Sequence, residues 1–468
     1  MNIGKLSDLL RLHRLRAFRR RRAAQRSRRE PEPALRAELF NTEQMERHGR
    51  ALAAQHRLSR GRHADPLLAR LADNEAVLIH ACERLTPATR QGRGVTPAGE
   101  WLLDNFYLVE EQVRIARRHL PKGYSRELPR LAHGPSAALP RVYDIAQEVI
   151  AHGDGRVDIA GLRRFVNAYQ TAAPLKLGEL WAIPIMLRLA LIENLRRVAA
   201  RVIADWHDRG NAARWADRLT AAAERDPAGV VLEVADMARA KPTMSGPFVA
   251  ELSRRLHGQG PALALPLGWI EQRLAQSGLS VEQLVQLEAQ QQAADQVSIG
   301  NSIGSLRALS AIDWRAFVEH TSLVERTLRQ DPAGVYAAMD FATRDDYRHA
   351  VERLARRHRL DERAVAEAAI TLCRDAVDED APPLQRHAGH WLIAAGRPAL
   401  ERTLGVRAPL GERLRRGFDR APLPVYLGLL AVLTFAFAQP LLATVARDAF
   451  PLWALLAVTL PAVLVASQ

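Results

Sequence analysis

Residues 181–192, WAIPIMLRLALI, are apolar on nearly every face of a helix. The run is too short for a membrane span, and charged residues follow it from Glu193 onward. We therefore predict a buried central helix that begins near Leu177. Pro184 is expected to bend this helix or to lie in its first turn.

The surrounding body, residues 37–420, is predicted to be helical throughout, since strand-like alternation is scarce and Ala, Leu, Arg and Glu dominate. At one helix start, Thr96 is expected to cap a helix whose first residue is Pro97, where the missing N–H costs nothing. One apolar stripe follows at helical spacing: Leu102, Phe106, Val109 and Val113. Further along, we predict separate helices over 280–296 and 302–311.

The amino-terminal arm, residues 1–36, carries most of the positive charge. Residues 1–30 have a net charge of +9 out of +14 for the whole chain. This density suits a solvated tail or contact with anionic lipid, where each cation contributes roughly 1 kcal/mol. Nucleic acid is a less favoured partner, because the run Arg19–Arg22 offers no aromatic side chain for base stacking. The same run is followed by more charge, which excludes a secretory signal.

The carboxyl-terminal region changes character, with uncharged stretches over 424–446 and 449–467. At about 1.5 Å per residue the first covers roughly 34 Å, enough for a bilayer core, and the second is near the minimum. Arginines precede the first stretch, so the positive-inside rule places the body in the cytosol. We predict an all-α fold, with a multi-helix cytosolic domain followed by a two-helix transmembrane hairpin. The two cysteines, Cys82 and Cys373, form no disulfide framework and fit a reducing compartment.

Several motifs suggest chemistry, but each has a simpler structural interpretation. The triplet Asp378-Glu379-Asp380 is typical of metal and nucleotide-sugar binding, yet no strand is predicted before it, and a solvated acidic loop is favoured. Asp104 and Glu111 could pair on one helix face, although Arg114 offers Glu111 a plain ion pair. The glycine-spaced residues 299–305 lack the lysine of a phosphate-binding loop and are interpreted as a helix start capped by Asn301 or Ser302.

Histidines and aromatic residues give equally weak indications of a metal-binding or sugar-binding site. His387 and His390 are three residues apart, but no third metal ligand is convincingly placed nearby. Two pairs, Trp101 with Phe106 and Trp181 with Pro184, could stack on a sugar. Aromatic residues at helical spacing are nevertheless more typical of a hydrophobic core. The sequence therefore predicts no catalytic, cofactor-binding or metal-binding residue in this chain.

Four segments carry a family resemblance. They are EWLLDNFYLVEEQ at 100–112, GYSRELP at 123–129, LGELWAIPIMLRLALIENLRR at 177–197 and MDFATRDDYR at 339–348. In this order, over roughly residues 75–400, the chain resembles the amino-terminal region of the cyclic β-1,2-glucan synthases. The matches are long and rich in Trp, Pro and Asn, which makes the resemblance specific.

The resemblance implies a very large bacterial inner-membrane enzyme with a cytosolic glycosyltransferase domain that uses UDP-glucose and a divalent metal. In that family the catalytic domain follows the membrane hairpin, so no catalytic residue is carried over and no cofactor is expected in this chain. We expect a membrane-anchoring, accessory portion whose partners are the membrane and the downstream glycosyltransferase domain. The alternative is a free-standing, membrane-anchored helical interaction or scaffold protein.

Overall fold

In the computed structural model, the regular secondary structure of the described residues is helical. The described residues are 32–59, 65–90, 94–121, 123–406 and, apart from 425 and 434, 423–436. Within these ranges there is no strand, and isolated bridges join Leu58 to Leu131 and Arg130 to Pro140. The prediction of an all-α fold is confirmed.

The chain divides into two compact units, Met1–Arg326 and Thr327–Gln468. The α-helices, in chain order, are α1 (Thr42–Gln55), α2 (Leu67–Arg90), α3 (Pro97–Asp104), α4 (Phe106–His119), α5 (Arg141–His152), α6 (Ile159–Gln170), α7 (Leu177–Arg225), α8 (Val230–Ala240), α9 (Gly246–Leu256), α10 (Ala264–Ala275), α11 (Val281–Ala308), α12 (Trp314–Thr321), α13 (Leu323–Leu328), α14 (Val335–Ala338), α15 (Phe341–His358), α16 (Glu362–Asp378), α17 (Ala388–Leu392) and α18 (Arg397–Thr403). Short 3₁₀ turns cover Tyr124–Arg126, Pro227–Gly229, Pro261–Leu263 and Pro383–Arg386.

Helix α7 is the predicted central helix, and its 49 residues give it a length of roughly 74 Å. At its start, the Glu179 carboxylate accepts the backbone N–H of Lys176 at 3.0 Å and so satisfies a donor just before the first turn. Pro184 lies inside the helix, in its third turn. The helix ends at Arg225, and Pro227 two residues later cannot continue it.

The first half of α7 is buried on all sides. Helices α2, α4, α5 and α11 pack against this half, and its apolar residues from Leu189 to Leu195 are only 0–3% exposed. A helix that is apolar around its whole circumference is stable only when other helices cover every face. The prediction of a buried central helix is therefore confirmed.

The second half of α7 enters a separate apolar core. Its inner face presents four residues to this core: Ala212, Ala216, Leu219 and Ala222. Helices α8, α9 and α10 cover them, with Phe248 and Ile270 almost fully buried. One helix thus joins two cores of the first unit, which is why it is far longer than the average of about 11 residues.

Two helix boundaries differ from the prediction. Thr96 caps α3 through its hydroxyl, which accepts the Gly99 N–H at 3.3 Å, and Pro97 is the first residue, as predicted. The apolar stripe is nevertheless divided between α3 and α4, because Asn105 leaves helical geometry at φ −107°, ψ 12°. Conversely, residues 281–308 form one unbroken helix, so the predicted helix start at 299–305 is wrong.

The predicted transmembrane hairpin is also wrong for the part of the chain that the structure describes. Among those residues, no helix combines the length and the apolar character that crossing a bilayer requires. Of the first predicted span, 424–446, residues 425, 434 and 437–446 lie outside the described residues. Lack of charge permits a span but does not fix a helix of sufficient length. The second predicted span, 449–467, lies outside the described residues.

We predict that Leu191→Ala destabilises the first unit by about 2–5 kcal/mol, because the Leu191 side chain is 0% exposed and its loss leaves a cavity. Chemical denaturation followed by tryptophan fluorescence measures this, since six of the eight tryptophans lie in that unit. The matched control, Leu232→Ala on α8, removes a side chain that is 70% exposed and should change stability by less than about 0.5 kcal/mol. Equal effects of the two substitutions would contradict the central position of α7.

Candidate functional site

The first chemical group of interest is the buried carboxylate of Glu193 on α7. It accepts hydrogen bonds from Arg70 of α2 at 2.7 and 2.8 Å, from the Tyr143 hydroxyl of α5 at 2.7 Å and from Arg197 at 2.8 Å. Burial alone raises the pKa of Glu193, but Arg70, Tyr143 and Arg197 outweigh it and lower that pKa to about 2. A carboxylate held this firmly stays ionised and is poorly suited to donate or accept protons near neutral pH.

A second buried carboxylate, Glu179, is bound in the same way. The guanidinium of Arg141 donates two hydrogen bonds to it, both at 2.6 Å, and a further one to the carbonyl of Pro174 at 2.6 Å. Both side chains of the pair are nearly inaccessible, with exposures of 6% and 0%. Removing one partner of such a pair leaves the other charge buried and unpaired. Glu179 therefore fixes the start of α7 against α5.

Neutral polar residues on α7 are satisfied as well. The Asn194 amide donates to the hydroxyls of Ser298 and Ser302 on α11, and its oxygen accepts the backbone N–H of Leu35 at 2.9 Å. Further along the same interface, Arg201 pairs with Asp295 at 2.9 Å. The polar residues of the 177–197 motif are thus bound to neighbouring segments of the same unit, a structural role that explains why they lie in a buried helix.

An acidic cluster lies between α7 and α11. Burial, together with the nearby carboxylates of Glu288 and Asp295, raises the pKa of Asp205 to about 7. Arg209 binds Glu288 at 2.7 Å, and Arg201 binds Asp295. A carboxyl group that titrates near neutral pH is a candidate proton carrier, although structural networks produce the same shift.

In the second unit, His387 lies between a carboxylate and a phenol. Its Nδ1 is 2.7 Å from Asp331 and its Nε2 is 3.0 Å from the hydroxyl of Tyr347. Asp331 also accepts the backbone N–H of Ala388 at 3.1 Å, which fixes the start of α17. Burial and the Asp331 charge raise the pKa of Tyr347, so the phenol is not activated as a nucleophile.

His387 and His390, which the sequence analysis did not favour as metal ligands, make separate contacts. His390 instead packs edge-on against Trp391, with ring centroids 4.9 Å apart. Asp378-Glu379-Asp380 ends α16 in an exposed turn where Arg386 binds Asp380, which confirms the solvated acidic loop.

The remaining sequence candidates are also dispersed. Asp104 and Glu111 are exposed on different helices, so they do not share one helix face. Phe106 and Trp181 pack against the first core, in agreement with the core interpretation. Trp101 is 46% exposed, which makes that interpretation wrong for this residue.

One cluster has the composition of a metal site, and the sequence analysis did not identify it. His48 of α1 meets Glu148 and His152 of α5, and one ligand atom of each residue lies within 4.8 Å of the others. It is the one group of this kind among the described residues. Glu148 and His152 are four residues apart, which places them on one face of α5, and this spacing could have been recognised in the sequence. His48 lies 100 residues from Glu148 and is brought to it only by the tertiary fold, in which α1 packs on α6.

The pH dependence of folding tests the Glu193 network. The folded-state pKa of Glu193 is about 2, below its ordinary value of 4.5, so its stabilisation is complete above pH 4.5 and is lost as the pH falls toward 2. We expect Glu193→Gln to cost on the order of 3 kcal/mol at pH 7. The difference in the free energy of unfolding between the wild type and this variant should become smaller below pH 4.5.

Denaturant titrations between pH 7 and pH 3.5 measure this difference. The control is Glu43→Gln, since the Glu43 side chain is 81% exposed and its ion pair with Arg47 is worth less than about 0.5 kcal/mol. A difference between wild type and Glu193→Gln that stays constant across this pH range would show that the Glu193 charge is not what stabilises the fold.

Comparison with known proteins gives one clear relative. No family model matches the chain. The chain is 32% identical over 383 residues to cyclic beta-(1,2)-glucan synthase NdvB of Rhizobium meliloti (strain 1021). The match covers 80% of this chain but only 13% of the much longer relative. The resemblance inferred from the sequence is thereby confirmed, and this chain is related to one part of a cyclic β-1,2-glucan synthase.

Proposed function

We propose that this chain is a helical, non-catalytic part of the machinery that makes cyclic β-1,2-glucan. The observation that supports this proposal is the 32% identity that extends over 80% of the chain. Similarity of this extent involves nearly the whole described body, so the chain and the matching part of the synthase are expected to share one fold. The proposed role is to support the catalytic part of the synthase by packing against it.

The chemistry of the central helix supports the non-catalytic role. The most distinctive segment of the resemblance, residues 177–197, coincides with the buried half of α7. Its two carboxylates, Glu179 and Glu193, are bound by guanidinium groups, and Asn194 is bound by two serine hydroxyls. Side chains bound in this way stabilise a core, whereas acid–base catalysis needs a group with a pKa near the working pH.

Other parts of the expectation remain proposals that rest on the resemblance alone. UDP-glucose and a divalent metal would bind to the glycosyltransferase domain, which would be the direct partner of this chain. The body would lie on the cytosolic side of the bacterial inner membrane. Residues 1–31, which include most of the arginine-rich arm, lie outside the described residues, and their contact with anionic lipid stays a prediction.

A segment exchange tests the proposed function. In the Rhizobium meliloti synthase, the segment that matches this chain is replaced by the chain itself, and the hybrid is expressed in cells that lack their own synthase. We expect membranes of these cells to incorporate labelled glucose from UDP-glucose into cyclic glucan. Deletion of the same segment should abolish or strongly reduce this product.

Two variants of the hybrid make the test specific. Leu191→Asp places a charge in the first core and should remove the product, while Leu232→Asp lies on the exposed face of α8 and should leave it unchanged. An inactive hybrid that is folded and present at normal levels would refute the proposal and favour a free-standing interaction protein. Release of UDP from UDP-glucose by the purified chain alone would refute the non-catalytic role.

A further inference from the structure

The cluster of His48, Glu148 and His152 lies where the carboxyl-terminal turns of α5 meet α1. His48 Nε2 is 2.8 Å from a Glu148 carboxylate oxygen, and His152 Nε2 is 3.4 Å from the same oxygen. The rings of His48 and His152 are themselves close, with centroids 4.5 Å apart. Three ligand atoms of the types that zinc prefers therefore converge on one point.

The hydrogen bonding of His152 identifies which of its nitrogens faces the cluster. His152 Nδ1 is 2.7 Å from the backbone carbonyl of Glu38. A carbonyl oxygen only accepts, so Nδ1 carries the proton and donates it. In the neutral ring, Nε2 then presents a lone pair toward the carboxylate oxygen of Glu148. Two lone pairs that face each other need a cation between them, either a proton on Nε2 or a metal ion.

The same hydrogen bond is the second-shell contact that metal-binding histidines usually make. A backbone carbonyl that accepts the Nδ1 proton fixes the ring orientation and makes Nε2 a better ligand. Phe40 stacks on the His152 ring at 3.8 Å with a 10° angle between the planes and meets His48 edge-on at 5.4 Å. The segment 37–40 is in turn held to the end of α5, because the Ala37 and Phe40 N–H groups bond to the carbonyls of Ala151 and His152.

The accessibility of the cluster suits an ion that enters from solvent. His152 is largely covered, with 10% of its side chain exposed, while His48 and Glu148 are 24% and 31% exposed. The buried ligand is oriented by its carbonyl, and the two outer ligands leave an opening for a water molecule. Three protein ligands with one open position are typical of zinc sites that keep a water molecule.

The distances fit a zinc ion after small side-chain movements. Zn–N and Zn–O bonds of about 2.0–2.2 Å place tetrahedral ligand atoms roughly 3.3 Å from each other. The two separations from Glu148, 2.8 and 3.4 Å, lie on either side of this value, and the two histidine nitrogens lie within 4.8 Å of each other. Two imidazoles with one carboxylate favour Zn²⁺ or a similar transition metal over Mg²⁺ and Ca²⁺, which prefer oxygen ligands only.

We propose that His48, Glu148 and His152 form a binding site for one divalent transition-metal ion of the zinc type. The ion would link α1 to α5 and so stabilise the amino-terminal edge of the first unit, in addition to the packing of α1 on α6. This inference does not depend on the proposed function in glucan synthesis, because it follows from the three side chains and their surroundings.

Titration of the metal-free full chain with CoCl₂ tests the site, because bound Co²⁺ has a visible absorption spectrum that reports coordination by nitrogen and oxygen. We expect one equivalent of Co²⁺ to bind and one equivalent of ZnCl₂ to displace it. His48→Gln and His152→Gln should each weaken Co²⁺ binding by more than about 10-fold, since each removes a direct ligand. ZnCl₂ should also raise the thermal unfolding midpoint of the wild type.

A matched control is His56→Gln, which removes the histidine that directly follows α1. His56 bonds to the Asp144 carboxylate and to Tyr169, and among the described residues it belongs to no three-ligand group. This variant should bind Co²⁺ as the wild type does. Glu148→Gln is the more conservative variant, because the amide oxygen of the glutamine can still accept a hydrogen bond from His48. It should fold normally, as judged by circular dichroism, and its unfolding midpoint should no longer respond to ZnCl₂.

Two results would overturn the proposal. One is the absence of a stoichiometric Co²⁺ spectrum in the wild type, which would mean that a protonated His152 forms a plain ion pair with Glu148. The other is a Co²⁺ affinity that is unchanged in folded His48→Gln or Glu148→Gln, which would place any bound ion elsewhere on the chain.

Discussion

The arrangement of the first unit depends on the need to neutralise a carboxylate inside an apolar helix bundle. Glu193 lies in the middle of α7 with a side chain that is only 1% exposed, and an ionised carboxylate in such a place is very unfavourable unless it is paired. Its partners come from α2, α5 and α7 itself, so the charge is satisfied only when these three helices meet in one register. Apolar packing alone tolerates small shifts between helices, whereas this network does not.

The same principle repeats along the length of α7. The Arg141 pair with Glu179 fixes one end of the buried half, and the Arg201 pair with Asp295 fixes the other end against α11. Beyond it, α7 continues into a second core where small residues such as Ala212 and Ala216 allow close helix packing. One long helix thus connects two apolar cores of the first unit.

At the amino-terminal edge, polar contacts between α1 and α5 are made by histidines. His48 meets Glu148, while His56 at the end of α1 meets Asp144 one helical turn earlier on α5. Between them α1 approaches α6 closely at Gly49, where an added Cβ would lie 3.0 Å from the carbonyl oxygen of Phe165. The proposed metal site therefore lies at a place where the backbones are already held together, which lowers the entropic cost of gathering its ligands.

The helical class, the buried central helix, the capped start at Thr96 and the relation to the glucan synthases could all be predicted from the sequence. Hydrophobic periodicity, capping and long motifs are local properties of the chain. The sequence did not determine that residues 281–308 are one helix, since Gly300 and Gly304 resemble a break until packing against α7 compensates for their weak helix propensity. Its prediction of a membrane hairpin is wrong for the described residues, because absence of charge is a weaker condition than a sufficiently long apolar helix. The folded structure was needed to show that His48 joins Glu148 and His152 and that Arg70 reaches Glu193 across 123 residues. These contacts depend on how whole helices pack, which the local sequence does not specify.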